Sequence, residues 1–316
     1  MKALRVAVLA GGISAERDIS LLSGAEVLSG FQSLGWPCAG FDMVPDGKAP
    51  KDGARGFRKV AVRRLAAALK AWRPGMVFLA LHGTGGEDGW VQGLLELAGL
   101  PYTGSGCKAS AVAMDKAMSK QLFERAGIAT PAWSLAPRDL RRAVKAPGPL
   151  IVKPAEQGSA VGVSLVRDAA GFRKALKSAS GFGPVLVERF IPGRELTVGV
   201  LGSRALPVVE IVPKNEFYDW ESKYAPGGSR HLCPAPLPRA LAEKAQQMSL
   251  AAHRALGCRG YSRADLRLDP KGGLWMLEVN TLPGMTRLSL LPDAAKAAGL
   301  SFEALLMSMV KESLAA

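Results

Sequence analysis

The spacing of apolar positions changes several times along the chain, and each change predicts an element. Leu4–Ala10 is an apolar run, uninterrupted from Val6, as expected of a strand covered on both faces. Gly11-Gly-Ile-Ser-Ala-Glu16 follows, and then Leu21, Ala25 and Leu28 fall on one helical stripe. A strand, a glycine turn and a helix open a nucleotide-type α/β unit, but the strict G-x-G-x-x-G spacing is absent, so NAD is not inferred. Met76–Leu81 predicts a second buried strand, which ends at His82-Gly-Thr-Gly-Gly-Glu-Asp-Gly89. Ligands of open α/β sheets bind at such strand ends. Residues 1–104 therefore read as one small doubly wound domain.

Beyond it, Asp115 is placed to cap a helix running to Ala126, with Gly127 as its stop and Pro131 after it. Leu150–Lys153 predicts a strand, Pro154–Gly162 a glycine-containing loop, Val161–Val166 a partner strand and Val185–Glu188 another. Residues 105–190 thus form a small α+β unit. The last unit, 191–316, holds strands at Leu196–Leu201 and Leu206–Ile211 and a Pro/Gly-rich loop over 213–238. A helix follows with Leu241, Ala245, Met248 and Ala252 on one stripe, ended by Gly257. A β-hairpin and a final helix marked by Phe302, Leu305, Leu306 and Met309 complete it. The fold class is α/β, and no internal repeat is present.

The hairpin carries the strongest chemical signal. Its arms are Gly260–Leu268 and Leu274–Asn280, joined by Asp269-Pro-Lys-Gly-Gly273. Pairing Asp269 with Leu274 sets Asp265 opposite Glu278 and Arg263 opposite Asn280, with all four side chains on one face. Opposed side chains lie about 5 Å apart, and like charges there repel. Two carboxylates and an amide oxygen, without Cys or His, suit a hard cation such as Mg²⁺, whose shell substrate phosphates commonly complete. The pattern points to a nucleoside triphosphate. A second phosphate element lies at Lys153, a point charge beside a loop in which Gly158 and Gly162 open the backbone and Ser159 adds a hydroxyl. It is not a P-loop, since G-x-x-x-x-G-K-[ST] is missing.

Composition narrows the reading. The 316-residue chain is 48% hydrophobic and carries a formal net charge of +14. The basic residues between Lys48 and Arg73, among them Arg58, Lys59, Arg63 and Arg64, are expected in a surface loop and on the solvent face of a helix. No nucleic-acid motif and no aromatic interleaving accompanies them, so they read as a solvated face, and a basic chain also steers anionic small substrates. A basic nucleic-acid-binding protein is the alternative from another class, against which the paired carboxylates speak. Cys38, Cys107, Cys233 and Cys258 are too widely spaced for a disulfide framework or a zinc site. The apolar start, broken by Gly11-Gly12 and the charges at Glu16, Arg17 and Asp18, reads as a strand rather than an export signal. No apolar run reaches the ~18 residues of a membrane span, so a cytoplasmic protein is expected.

Six segments taken in order carry a family resemblance: Gly11-Gly-Ile-Ser-Ala-Glu-Arg17, Leu81–Gly89, Pro101-Tyr-Thr-Gly-Ser-Gly106, Met114-Asp-Lys116, Phe217-Tyr-Asp-Trp-Glu-Ser-Lys-Tyr224 and Glu278-Val-Asn-Thr-Leu-Pro-Gly-Met-Thr286. Almost end to end, the sequence resembles the D-alanine–D-alanine ligases of the ATP-grasp superfamily. The resemblance implies a Rossmann-like pre-ATP-grasp domain followed by a two-lobed ATP-grasp module. It implies ATP-driven joining of two D-alanines through an acyl phosphate, for peptidoglycan precursors. Asp265, Glu278 and Asn280 are then the ligands of two Mg²⁺ (or Mn²⁺) ions, and Lys116, Lys153 and Lys223 neutralise ATP phosphates. Glu188 takes the adenine amino group, Ile191 offers backbone contacts and Glu195 holds the ribose. Glu16 holds the ammonium of the first D-alanine, with His82 beside it and Ser159 and Tyr224 closing the network. Arg263 stabilises the oxyanion of the tetrahedral intermediate. Gly284, Ser289 and the Leu290 backbone serve the second substrate.

The same resemblance implies a homodimer, no nucleic-acid partner and no membrane, and makes loop 213–238 a lid that ligands protect from proteolysis. The intact Lys223-Tyr224 pair favours the dipeptide over an ester to D-lactate. Ala160, where a second serine is frequent, and Arg287-Leu288 before Ser289 depart from the common pattern. Another ATP-dependent carboxylate–amine ligase is the alternative within the enzyme class.

Overall fold

The structure is a computed structural model, and it describes residues 3–47, 50, 53–135, 148–159, 161–213 and 228–315. Its first sheet is wholly parallel. It is built from β1 (Val6–Gly11), followed by helix α1 (Arg17–Ser33), β2 (Cys38–Val44), β3 (Phe57–Ala61), helix α2 (Leu65–Trp72) and β4 (Met76–Leu79), in the order β3-β2-β1-β4. All six residues of β1 and all four of β4 are buried, which is why both were legible as unbroken apolar runs. Strand order reverses between β1 and β4. The loops leaving their carboxyl ends, 12–16 and 82–89, therefore meet over a topological switch point. Helix α3 (Trp90–Ala98) returns from the second loop.

The basic stretch is placed differently from expectation. Arg58 and Lys59 lie on β3, an edge strand, and Arg63 and Arg64 in the 3-10 turn Val62–Arg64. All four are exposed, so the solvated face is there, but these four lie on a strand and a 3-10 turn, while Arg55 before the strand and Lys70 on the exposed side of α2 sit as expected. The strand was hidden because charged positions dominate the middle of Phe57-Arg-Lys-Val-Ala61.

Two short helices, α4 (Cys107–Met114) and α5 (Lys116–Arg125), lead into a second, antiparallel sheet. The Asp115 carboxylate accepts the backbone N–H groups of Ala117 and Met118, at 2.9 and 3.0 Å, and so caps α5 as its position predicts. The sheet runs β5-β8-β6-β7, from β5 (Trp133–Leu135), β6 (Leu150–Pro154), β7 (Ser164–Val166) and β8 (Val185–Arg189). Helix α6 (Ala169–Ala179) covers it, burying Phe172 and Ala175 against Leu150, Val152 and Val187.

The third sheet holds β9 (Arg194–Leu201), β10 (Arg204–Ala205), β11 (Val209–Pro213), β12 (Ser229–Leu232), β13 (Tyr261–Leu268) and β14 (Leu274–Asn280). Its order is β12-β11-β9-β13-β14, with β10 on β9. Helix α7 (Arg239–Ala255) packs on it. The 213–238 stretch is therefore not a continuous loop, because β12 within it pairs antiparallel with β11. Residues 214–227, with Lys223 and Tyr224, lie outside the described residues.

In the hairpin, Asp265 faces Glu278 and Arg263 faces Asn280. The turn end differs from expectation. Leu268, not Asp269, faces Leu274, and a bulge between Asp265 and Leu266 absorbs the one-residue offset. Asp269 instead folds the turn, its carboxylate accepting the backbone N–H groups of Lys271 and Gly273 at 2.8 Å each. Helices α8 (Leu290–Ala297) and α9 (Phe302–Leu314) return to the first sheet, where Leu291, Leu305, Leu306 and Met309 join the core of Val6–Ala10 and Phe31. Gly30 of α1 permits this approach, since a Cβ there would lie 2.6 Å from Leu306 Cδ1.

Candidate active site

The three sheets enclose a cavity of about 840 Å³. The described residues expected to bind metal, ATP or substrate line it, from Glu16 and His82 on the first sheet to Ser289 and Leu290 at the start of α8, whereas Gly162 of the glycine loop does not. Arg58, Lys59, Arg63 and Arg64 do not line it.

At one end sits an acidic pocket fixed by the two switch-point loops. Glu16 is the residue before α1, and its carboxylate accepts the Ser159 hydroxyl. Gly158 and Gly83 pack on the same carboxylate, since Cβ atoms there would lie 2.8 and 2.7 Å from Glu16 Oε2. Gly158 thus admits the glutamate as well as freeing the backbone. Ser159 itself holds a left-handed φ of 52°, uncommon for a residue with a Cβ. The Ser14 hydroxyl donates to His82 O at 2.7 Å, tying the two loops together.

His82 is both a satisfied and a cavity-lining histidine. Its Nδ1 lies 3.1 Å from Leu282 O and its Nε2 3.1 Å from Ser23 Oγ. The carbonyl requires Nδ1 to carry the proton, so Nε2 accepts from the serine. Burial lowers its pKa, with the nearby Glu16 carboxylate pulling the other way.

Glu87 was not foreseen. Its carboxylate accepts the Gly83 N–H at 2.6 Å and faces the cavity. Burial pushes its carboxyl up to about 8, and the Glu16 charge adds to the shift. The available signal was its place in the His82–Gly89 loop at a strand end.

The hairpin forms the middle of the site. Arg263 grips Asp265 with two parallel bonds, Nε to Oδ1 at 2.9 Å and Nη2 to Oδ2 at 2.8 Å. Thr197 also donates to Asp265, at 2.6 Å. Lys116 Nζ lies 3.3 Å from Glu278 Oε2 and donates to Gln157 O at 2.7 Å, so it joins the hairpin to the glycine loop. Asn280 Oδ1 accepts the Leu282 N–H at 2.9 Å and keeps a second lone pair. Among the described residues no cluster of three His, Cys, Asp or Glu side chains is placed for a metal. The Asp265–Glu278 pair with the Asn280 amide oxygen is nonetheless an all-oxygen donor set, and its repulsion is offset here by Arg263 and Lys116, so the residues fit a hard divalent cation.

The far end is a buried ionic cluster. Glu188 meets Lys153 through Oε1 at 2.5 Å and Lys120 through Oε2 at 2.8 Å. Burial alone would raise the Glu188 carboxyl, but the two ammonium groups hold it below its ordinary value. Arg267 donates to Ile191 O at 3.0 Å and to Gly193 O at 2.9 Å, and its Nη1 meets Glu195 Oε2 at 3.0 Å. Ile191 and Glu195, expected around the nucleotide, are thus tied to the hairpin. Lys120 and Arg267 were also missed. Their signals were spacings: Lys120 is one turn beyond Lys116 on α5, and Arg267 two residues beyond Asp265 on β13.

Beside the hairpin, Ser289 occupies the N-cap position of α8 without capping it. Its hydroxyl accepts the Thr286 N–H at 3.1 Å and lies 2.8 Å from the Thr286 hydroxyl. A Cβ on Gly284 would lie 2.9 Å from the same oxygen. Ser289 and Leu290 at the helix start both line the cavity, and a helix N-terminus is a setting suited to a carboxylate. Arg287 and Leu288 also line the cavity; Arg287 Nε lies 2.9 Å from Glu26 Oε2, and Leu288 is exposed.

A parallel α/β unit followed by two antiparallel sheets, closing on lysines and a carboxylate hairpin, defines an ATP-grasp enzyme. Residues 122–311 match the family described as D-ala D-ala ligase C-terminus, and residues 42–105 match D-ala D-ala ligase N-terminus. The sequence is 48% identical to the D-alanine--D-alanine ligase of Paramagnetospirillum magneticum, covering 98% of both chains. It is 44% identical to that of Gloeobacter violaceus, over 98% of this chain and all of the relative. The crystal structure of D-alanine--D-alanine ligase from Bacillus anthracis complexed with ATP superposes with a TM-score of 0.80 at 31% identity, over 99% of this chain and 98% of that one. The chain belongs to the D-alanine–D-alanine ligase family.

Proposed function

We propose that the protein joins two molecules of D-alanine into D-alanyl-D-alanine at the expense of ATP, through an acyl phosphate, and so supplies peptidoglycan precursors. The observation that carries this reading is the convergence in one cavity of the Glu16 carboxylate, the Asp265–Glu278 pair and the Lys153–Glu188 cluster. An amino-acid ammonium, a metal–phosphate group and a nucleotide each find a chemically matched wall. Residues 1–104, 105–190 and 191–316 act as the three units that supply these walls.

The chemistry follows from placement. Glu16, braced by Ser159, takes the ammonium of the first D-alanine and leaves its carboxylate directed at the hairpin. That carboxylate attacks the γ-phosphorus of ATP, and ADP leaves. Phosphoryl transfer needs positioning and charge neutralisation more than covalent help, which Lys116, Lys153 and, from the sequence, Lys223 supply. Asp265, Glu278 and Asn280 would hold Mg²⁺ or Mn²⁺, two ions in all, which neutralise phosphate charge when bound. The second D-alanine binds with its carboxylate at Ser289, the Gly284 turn and the Leu290 end of α8. Its amine attacks the acyl carbon, Arg263 stabilises the oxyanion and inorganic phosphate departs. Glu188 and Ile191 receive the adenine, Glu195 the ribose, and His82 flanks the first substrate. Tyr224 completes the Glu16–Ser159 network.

Among the described residues no helix is long and apolar enough to cross a membrane. We place the enzyme in the cytoplasm as a homodimer that takes D-alanine and ATP and no nucleic acid. ADP release measured with D-alanine alone, D-lactate alone, the two together and a panel of other D- and L-amino acids tests the assignment. Turnover with D-alanine alone is expected, and a requirement for D-lactate or for another amino acid would overturn it.

A further inference from the structure

The ionic cluster contains a lysine that no ligand can touch. Lys120 is fully buried and does not line the cavity, whereas Lys153 and Glu188 do. Its Nζ donates to Thr130 Oγ1 at 2.6 Å and lies 2.8 Å from Glu188 Oε2. Thr130 donates in turn to Met276 O at 2.8 Å, and Met276 N–H donates to Ala129 O at 2.8 Å. Lys120 is therefore anchored between α5, the 129–130 segment and β14, and cannot swing toward the cavity.

We propose that Lys120 is a positioning residue for nucleotide binding, which neutralises Glu188 from behind so that the charge of Lys153 is left for a phosphate. This inference rests on the reading of Lys153 as a phosphate ligand. The cluster holds two ammonium groups and one carboxylate, a surplus of one positive charge. A buried charge persists only if paired, and Lys120 has Glu188 as its partner. The surplus thus belongs to Lys153, the lysine that faces the cavity. Glu188 remains ionised because both lysines outweigh its burial, so it keeps one cation when Lys153 turns to a ligand. Without Lys120, Lys153 and Glu188 would close into a neutral pair, and the phosphates would meet a wall with no net charge. A merely structural salt bridge would affect nucleotides regardless of their phosphates, whereas this role affects only phosphorylated ones.

The test is the ratio of adenosine to ATP dissociation constants, measured by calorimetry on the full-length protein. Lys120→Met is close in shape, leaves Glu188 paired with Lys153 and leaves Thr130 its bond to Met276, so no buried ion is stranded. It is expected to lower the ratio about tenfold or more by weakening ATP, since one net charge facing the phosphates is lost. Adding Glu188→Gln returns the net charge to the wild-type value and should bring the ratio within about threefold of wild type. Thr130→Val removes a partner of Lys120 but no charge and should leave the ratio alone. An unchanged ratio in Lys120→Met, a low ratio that the second substitution does not restore, or an equal fall in Thr130→Val would overturn the proposal. If Lys120→Met does not fold, the double variant carries the test alone, and a tenfold fall in its ratio overturns the idea. Lys153→Met separates this inference from the reading beneath it. A fall there with none in Lys120→Met sinks only the role of Lys120, and no fall in Lys153→Met sinks the phosphate assignment itself.

Discussion

Glu16 is held between two glycines, which makes it possible to move its carboxylate without touching it. A Cβ on Gly158 would lie 2.8 Å from Glu16 Oε2 and 3.7 Å from its Cδ. Ordinary contact begins near 3.4 Å. In Gly158→Ala the carboxylate must therefore retreat by roughly half an ångström, and misplacement on that scale near a reacting group costs about tenfold or more in rate. The fold should tolerate the change. Gly158 is not among the glycines with a left-handed φ. The atom it meets is the end of a flexible side chain, and Gly→Ala narrows the unfolded ensemble, an offset of about 0.4–1 kcal/mol. Gly83→Ala is the contrast. Its Cβ would lie 2.7 Å from Glu16 Oε2 and 3.0 Å from Ser14 Cβ, at a φ of +66°. The left-handed conformation adds about 1–2 kcal/mol of strain. The assay is coupled ADP release at varied D-alanine and ATP, alongside thermal melting. Gly158→Ala should lower kcat/KM for the first D-alanine about tenfold, with the KM for ATP and the melting temperature little changed. Gly83→Ala should lower both activity and stability. An unaltered kcat/KM for D-alanine in Gly158→Ala, or a defect confined to ATP, would refute the assignment of Glu16 to the substrate ammonium.

Three further outcomes are expected. Glu278→Gln should bind Mg·ATP poorly and lose turnover about a hundredfold, and a near-normal rate would count against the hairpin as the metal site. Asp115→Ala should destabilise the protein by about 1 kcal/mol in denaturant unfolding, the usual cost of a lost N-cap, and an unchanged midpoint would show that the cap contributes nothing. Glu87, ordinarily titrating at 4.5 and pushed up to about 8 by burial and by Glu16, holds its proton in the folded state after the unfolded chain has released it. The folded state then binds more protons, so stability falls as pH rises from 4.5 toward 8. Glu87→Gln should flatten that fall in melting temperature, and parallel curves for the two proteins would contradict it.

The sequence was most legible where one physical constraint decided the outcome. Val6–Ala10 and Met76–Leu79 are buried on both faces and read as unbroken apolar runs. The inner half of the hairpin was readable because opposed pairs fix the face of every neighbour. The bulge was not, since a single extra residue leaves no mark in composition, and Asp269 was accordingly set one position off. Strand β3 was lost because an edge strand needs little apolar surface. Strand β12, Ser-Arg-His-Leu, has no alternation of its own and exists by pairing with β11. In the site, most residues that line the cavity carried motif signals, whereas those that brace them carried only spacings. Lys120 and Arg267 act through buried partners distant in sequence, Glu188 and Ile191. Arg263 shows both sides: its face was predicted from alternation, but its two-bond grip on Asp265 needed coordinates.

Formation of an acyl phosphate from a D-alanine carboxylate, between the hairpin and Glu16, is the step on which the proposed ligation depends. Turnover with D-alanine labelled with ¹⁸O in its carboxylate, followed by mass analysis of the released phosphate and of the product, tests it most directly. D-alanyl-D-alanine and phosphate carrying a single ¹⁸O are expected for each ADP formed. Phosphate without the label, or ADP released with no dipeptide, would contradict the proposed ligation.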